Sequence, residues 1–162
     1  MERIAREHGV TLSLWTVMGA DRKVLILSYM SPNAIRIQMT LGQCLPLLHG
    51  ATGRCFAAFS RMDRDDIRRR FQAIRWDRPI SFDAFKEQVE EAKIKGWALD
   101  QGHFAKGTVM LGVPVLNYEN IAIMGVTATM IAGRFPDLDQ QALASDMQAF
   151  ALQIRRIVVG AG

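Results

Sequence analysis

Chemistry in this chain would have to come from three histidines, two cysteines and one short stretch at 96–117, GWALDQGHFAKGTVMLGVPVLN. That stretch sets an acid, glycines and a histidine directly ahead of an alternating apolar segment, the composition of a pocket lip. His8, His49 and His103 have no H-E-x-x-H spacing and no acidic partner evident from the sequence, so no metal site is expected. Cys44 and Cys55 stand outside any C-x-x-C pair and read as reduced thiols whose main role is packing. The chain also lacks a G-x-S-x-G elbow, a P-loop and a G-x-G-x-x-G turn opening a helix. Together these lower the expectation of catalysis and of a cofactor, and favour a domain that binds.

The elements that must position such a pocket follow from pattern. A chain of 162 residues with 49% hydrophobic and 22% charged residues has the size and balance of one globular domain. No apolar run approaches the roughly 20 residues of a membrane span. MERIAREHGV at the N-terminus has charges without an apolar segment behind them, which predicts a cytoplasmic protein rather than a secreted one. The formal net charge of +4 is concentrated in RMDRDDIRRRFQAIRWDR, where seven arginines alternate with four aspartates. Ile67, Phe71 and Ile74 recur there at helical spacing. This is the pattern of a solvated helix face; a phosphate patch is the lesser alternative, because no aromatic platform accompanies the arginines.

Residues 2–8 read as the end of a helix stopped by Gly9, and VTLSLWTV, VLILSYM and AIRIQMT as three strands, with GADRK as the first turn. HGATGRCFAAFS predicts a loop running into a tightly packed helix, followed by a helix over 63–74. Ser81 is a natural N-cap for FDAFKEQVEEAKIK, and Gly96 its stop. TVMLGVPVL and IAIMGVTATM, joined by NYEN, make a hairpin. Pro136 and Asp137 are expected to open a long final helix carrying Leu143, Met147, Phe150, Ile154 and Ile157. Adjacent antiparallel strands covered by helices give an α+β class.

LPLLHGATGRCFAAF and GWALDQGHFAKGTVMLGVPVLN, followed by IAIMGVTATM, resemble the C-terminal effector-binding domain of the IclR (isocitrate-lyase-regulator) family of bacterial transcription factors. That family carries L-P-x-H-A-T/S-x-x-G-K-A and, later, a G-Y-x-x-D segment leading to A-x-P-V/I-x-D. Arg54, Trp97, Gln101, Gly102 and Asn117 depart from these motifs. The resemblance implies a GAF-like fold, a mainly antiparallel sheet flanked by helices, with residues 1–9 as the end of a linker helix and 10–162 as the effector-binding domain. The family's DNA-reading winged helix-turn-helix has no counterpart in these residues, so DNA contact would belong to a separate N-terminal domain.

The resemblance also implies a ligand site. It sets Ala51, Thr52 and Gly53 at the start of the small-residue helix, Asp100 on a strand edge, Thr108 and Met110 on the next strand, and Gly125 and Thr127 on the one after. A helix start can hold a carboxylate through its backbone N–H groups, and hydroxyls at Thr52 and Thr127 add donors. If Gly125 leaves space in a wall, a bulky or aromatic monocarboxylate is favoured over glyoxylate or pyruvate. Each residue has a plainer alternative: Met110 as core, Gly125 as close packing, Asp100 as a cap on the backbone of 102 or 103, Arg54 as a solvated side chain or a partner of Asp100. Two rivals to an effector sensor remain open, a GAF-like enzyme or redox sensor using Cys44 or Cys55, and an oligomerisation module without ligand. The family also implies a homodimer or tetramer.

Overall fold

In the computed structural model, residues 1–32, 34 and 39–160 are described. Helix α1 (Glu2–His8) ends at Gly9, whose φ of 65° lies in the left-handed region and whose N–H returns to Ala5 O. Strands β1 (Thr11–Met18) and β2 (Arg22–Met30) form a hairpin. A third strand over 34–40 was expected, but its centre falls outside the described residues. A short strand that the sequence did not announce, β3 (Cys44–Pro46), pairs with the start of β2 instead.

Helices α2 (Gly50–Ala58), α3 (Arg64–Gln72) and α4 (Phe82–Lys95) follow. The Asp63 carboxylate and the Ser81 hydroxyl accept from the backbone N–H of Asp66 and Ala84, so α3 and α4 begin at side-chain caps, and Gly96 closes α4. Strands β4 (Ala98–Gln101), β5 (Thr108–Leu116) and β6 (Ala122–Ile131) complete one antiparallel sheet in the order β3-β2-β1-β6-β5-β4. The α+β class is as the sequence implied. Pro136 does not open the last helix. It lies in a 3₁₀ segment, Ala132–Asp137, and α5 (Gln140–Val158) starts from the carboxylate cap of Asp139.

Alternation along the strands gives the sheet two unlike faces. Leu12, Leu14, Val109, Leu111, Val113, Val126, Ala128 and Met130 pack against Leu143, Met147 and Ile154 of α5 in one apolar core. The opposite face carries α2 and, outside it, a second cluster in which Phe71 and Ile74 meet Phe85 and Val89 of α4. Leu12 and Leu14 are absorbed by the first core, whereas Ile157, near the end of the α5 stripe, is 82% exposed. Among the described residues, no helix is long and apolar enough to cross a membrane.

Candidate functional site

Strand register lays out the α2 face in rows. Met110, Thr129 and Thr11 lie side by side; then Gly112, Thr127, Ser13 and Ser28; then Pro114, Gly125, Trp15 and Leu25. Helix α2 rests on the glycines of this grid. A Cβ on Gly112 would fall 2.6 Å from Thr52 N, and one on Gly125 would fall 2.8 Å from Thr52 Cγ2 and 3.3 Å from Phe56 Cζ. Gly125 is thus a site of close approach, and its missing side chain leaves no pocket volume. The size argument for a bulky ligand loses its basis there. Gly53 serves the same end on the other side, against the backbone of Leu48. The spacing of these small residues seats the first turn of α2 directly on the sheet.

Around that first turn lies a buried polar assembly. Of the alternatives for Arg54, solvation fails and pairing with Asp100 holds: the side chain is wholly buried. Its Nη1 donates to Asp100 Oδ2 at 2.7 Å and to Gly50 O at 2.8 Å, and its Nε to Gln88 Oε1 at 3.0 Å. The guanidinium also lies over Trp76 and Phe85. Asp100 does act as a backbone cap, but on Phe104 N at 3.0 Å rather than on residue 102 or 103. Its two roles therefore hold the 101–107 loop against α2.

The residue that sequence reasoning missed is Lys23. Read as part of a turn, it belongs to β2, where alternation from buried Leu25 turns it inward. Its Nζ donates to Thr52 Oγ1 at 2.9 Å and to His49 O, and passes over the rings of Trp15 and Phe56. Burial, and next the charge of Arg54, bring its pKa from 10.5 down to about 7. His49 stands at the N-cap of α2 without a side-chain capping bond, between Trp76 and Phe104. Burial and then Lys23 lower its pKa to about 4, so the ring is neutral at pH 7.

Ala51, Thr52, Gly53, Asp100, Met110, Gly125 and Thr127 are brought together on this face. Thr108 is at its margin, where the hydroxyl donates to Ala105 O at 2.7 Å. Thr129 and Thr11, in the first row, were not anticipated, although Thr129 is two residues on from Thr127 and so shares its face. Their Oγ1 atoms are buried without a hydrogen-bond partner, as is His49 Nε2. A buried hydroxyl without a partner costs roughly 1–3 kcal/mol, so each calls for a water or another polar group beside it.

The cysteines and His8 resolve separately. Cys55 Sγ donates to Gly112 O at 3.4 Å, and burial pushes its pKa up to about 12, the reverse of what a reactive thiolate needs. Cys44 is exposed. His8, expected to have no acidic partner, meets Asp146 Oδ2 at 2.8 Å, with Glu7 nearby. Arg3 bonds Glu7 at 2.5 Å and lies 3.6 Å from Asp146, so protein charge already balances these carboxylates.

Residues 1–156 match the family described as bacterial transcriptional regulator IclR C-terminal. The chain belongs to that family. Solved structures are similar in fold: IclR of Thermotoga maritima at 20% identity and TM-score 0.83, covering 96% of this chain and 64% of that one. An IclR regulator of Alicyclobacillus acidocaldarius is 24% identical, with TM-score 0.72 over 93% of this chain and 64% of the other. The C-terminal domain of the E. coli regulator KdgR is 21% identical, with TM-score 0.75 over 96% and 91%. The IclR C-terminal chain thus spans 64% of the length of the first two relatives. No curated protein matches it. The family is one of transcriptional regulators, not of enzymes.

Proposed function

We propose that this IclR C-terminal domain is the sensing part of a bacterial transcriptional regulator, and that the α2-bearing face of the sheet, beside the start of that helix, binds a small organic acid, most simply a monocarboxylate. The observation that carries this reading is the pair of orphaned hydroxyls on Thr11 and Thr129, in the strand row of Met110, whose Sδ lies against Gly50 at the start of α2. A helix start offers N–H donors and a positive dipole end, and the hydroxyls offer the remaining hydrogen bonds of a carboxylate. Binding there would bear on α2, on the Asp100 loop and on the strands at once. Such a ligand can shift a balance between assembled states that hold separate DNA-binding domains differently.

A thermal-shift screen of small organic acids tests the reading. A ligand at about 100 times its dissociation constant adds about 2.7 kcal/mol to stability, whereas an oligomerisation module without ligand responds to none. The remaining expectations concern assembly. A homodimer or tetramer is proposed, with Leu152, Ile157 and Val158 of α5 among the apolar side chains left exposed; a monomer by light scattering at tens of micromolar overturns it. DNA is proposed to be read only by another domain, so these residues alone should give no sequence-dependent gel shift at physiological salt.

A further inference from the structure

We propose that Lys23 is the residue by which this site selects a monoanion, and that the anion enters together with one proton. The proposal rests on reading the α2 face as the effector site, and adds to it the charge and the proton linkage of the ligand.

The argument begins from a buried charge imbalance. Lys23, Arg54 and Asp100 are 2%, 0% and 1% exposed. They gather around one turn of helix: Lys23 Nζ on Thr52 Oγ1 at 2.9 Å, Arg54 Nη1 on Gly50 O at 2.8 Å and on Asp100 Oδ2 at 2.7 Å. Two basic side chains thus share one carboxylate, and the ion pair belongs to Arg54. The Lys23 nitrogen has a hydroxyl and a carbonyl as its bonded partners, with the rings of Trp15 and Phe56 beside it.

The ionisable groups that face it do not make up the difference. Arg54 adds a like charge from α2. Cys55, also on α2, is held as the neutral thiol, and His49 at the cap is held as the neutral imidazole. Asp100, from β4, is committed to Arg54 and to Phe104 N. An ammonium kept from water without a counter-ion is costly, so the fold holds Lys23 partly as the free amine near neutral pH. A carboxylate arriving at the first turn of α2 supplies the missing negative charge. The amine then takes a proton from solvent and the pair forms as R–COO⁻ with ⁺H₃N–Lys23; no covalent bond is made or broken. A neutral analogue offers no such charge. A dianion leaves one negative charge in excess in the same enclosed place.

Titration calorimetry with benzoate and pyruvate, and with benzamide as the uncharged match for benzoate, tests this between pH 6 and pH 9 in two buffers of different ionisation heat. Above pH 7, acid affinity should fall by up to about tenfold per pH unit, with uptake approaching one proton per ligand. Benzamide binding should be flat across the range. Lys23→Met should weaken the acids by about tenfold or more and abolish the proton uptake. Acids that bind the wild type without proton uptake, or bind Lys23→Met equally well, overturn the role of Lys23 and leave the effector reading standing. Failure of both acids to bind the wild type at any pH overturns the two together. The proton count is read on the wild type, so it stands whether or not the variant folds.

Discussion

The two faces of the sheet are made by alternate residues of the same strands, yet they obey different rules. Leu12 and Ser13, or Val126 and Thr127, are one peptide apart. The first of each pair joins the apolar core under α5, and the second lies on the polar floor beneath α2. The α5 face is a closed core of aliphatic side chains. The α2 face is just as buried at Thr11, Ser13, Thr127 and Thr129, but it holds a lysine, an ion pair and unpartnered hydroxyls. Depth alone therefore does not separate the two faces; the completeness of polar satisfaction does. A buried group without a protein partner calls for a water, an ion or a ligand to complete it.

Removing one partner from each face gives the sharpest contrast. Asp100→Ala strands the Arg54 guanidinium without a counter-ion and frees Phe104 N, so we expect a loss of about 3–5 kcal/mol in urea unfolding. Leu111→Ala, at a fully buried position in the α5 core, should cost about 3 kcal/mol through lost transfer energy and a cavity. Salt distinguishes the two kinds of loss more surely than size does. The Asp100 variant exposes an unpaired charge to any anion in the buffer, and sulfate should recover part of its stability. The Leu111 variant gains from sulfate only what the wild type gains.

What the sequence made legible followed the same divide. Period-two alternation identified β1, β2, β5 and β6, and helical spacing the α5 stripe, because apolar side chains signal burial by type. Ser81 and Gly96 bounded α4 because caps are local chemistry. β3 was missed because three residues pair only when β2 lies beside them. Pro136 misled because the carboxylate of Asp139 offers a better start to α5 a few residues later. On the α2 face, Ala51, Thr52 and Thr127 were singled out through the family's motifs, and the fold brings them together. Lys23 was not placed, and for Arg54 the sequence left solvation and pairing with Asp100 both open, since a cation buried against a partner 46 residues away looks in one dimension like a cation in water. Gly125 was visible as a glycine, but only Thr52 and Phe56 above it show which purpose the missing side chain serves.

Lys23 gives the two faces different pH dependence. Its folded-state pKa, about 7, lies below its ordinary 10.5, so between those values the unfolded chain holds more protons. Stability of the wild type must then rise with pH across that window, by up to about 1.4 kcal/mol per unit, and this contribution is flat below about pH 7. Lys23→Met removes the cost of the buried charge. The variant should be more stable than the wild type at pH 6–7, and the gap should close toward pH 10. Leu111→Ala, compared with the wild type over the same range, should show a constant difference. A constant gap for Lys23→Met as well would mean that the ammonium is as comfortable in the fold as in water.

The smallest expected effect is the most direct test of the claim that unsatisfied polarity marks the site. Thr129→Val replaces a buried, unpartnered hydroxyl with a methyl group of nearly the same shape, on a β-strand where valine is well suited. The unliganded protein should gain about 1 kcal/mol, because no hydrogen bond is lost and a desolvated oxygen is removed. Acid binding should weaken by a similar amount, roughly fivefold, because the ligand loses a donor it would have used. The two changes oppose each other in a thermal-shift measurement made with saturating benzoate, and separate cleanly when melting and calorimetry are done side by side. Stabilisation without loss of affinity would move the ligand away from the Thr11 and Thr129 row, toward Thr52 and Lys23. Destabilisation would mean that the Thr129 hydroxyl is satisfied in solution, by water, and that this row belongs with the closed face.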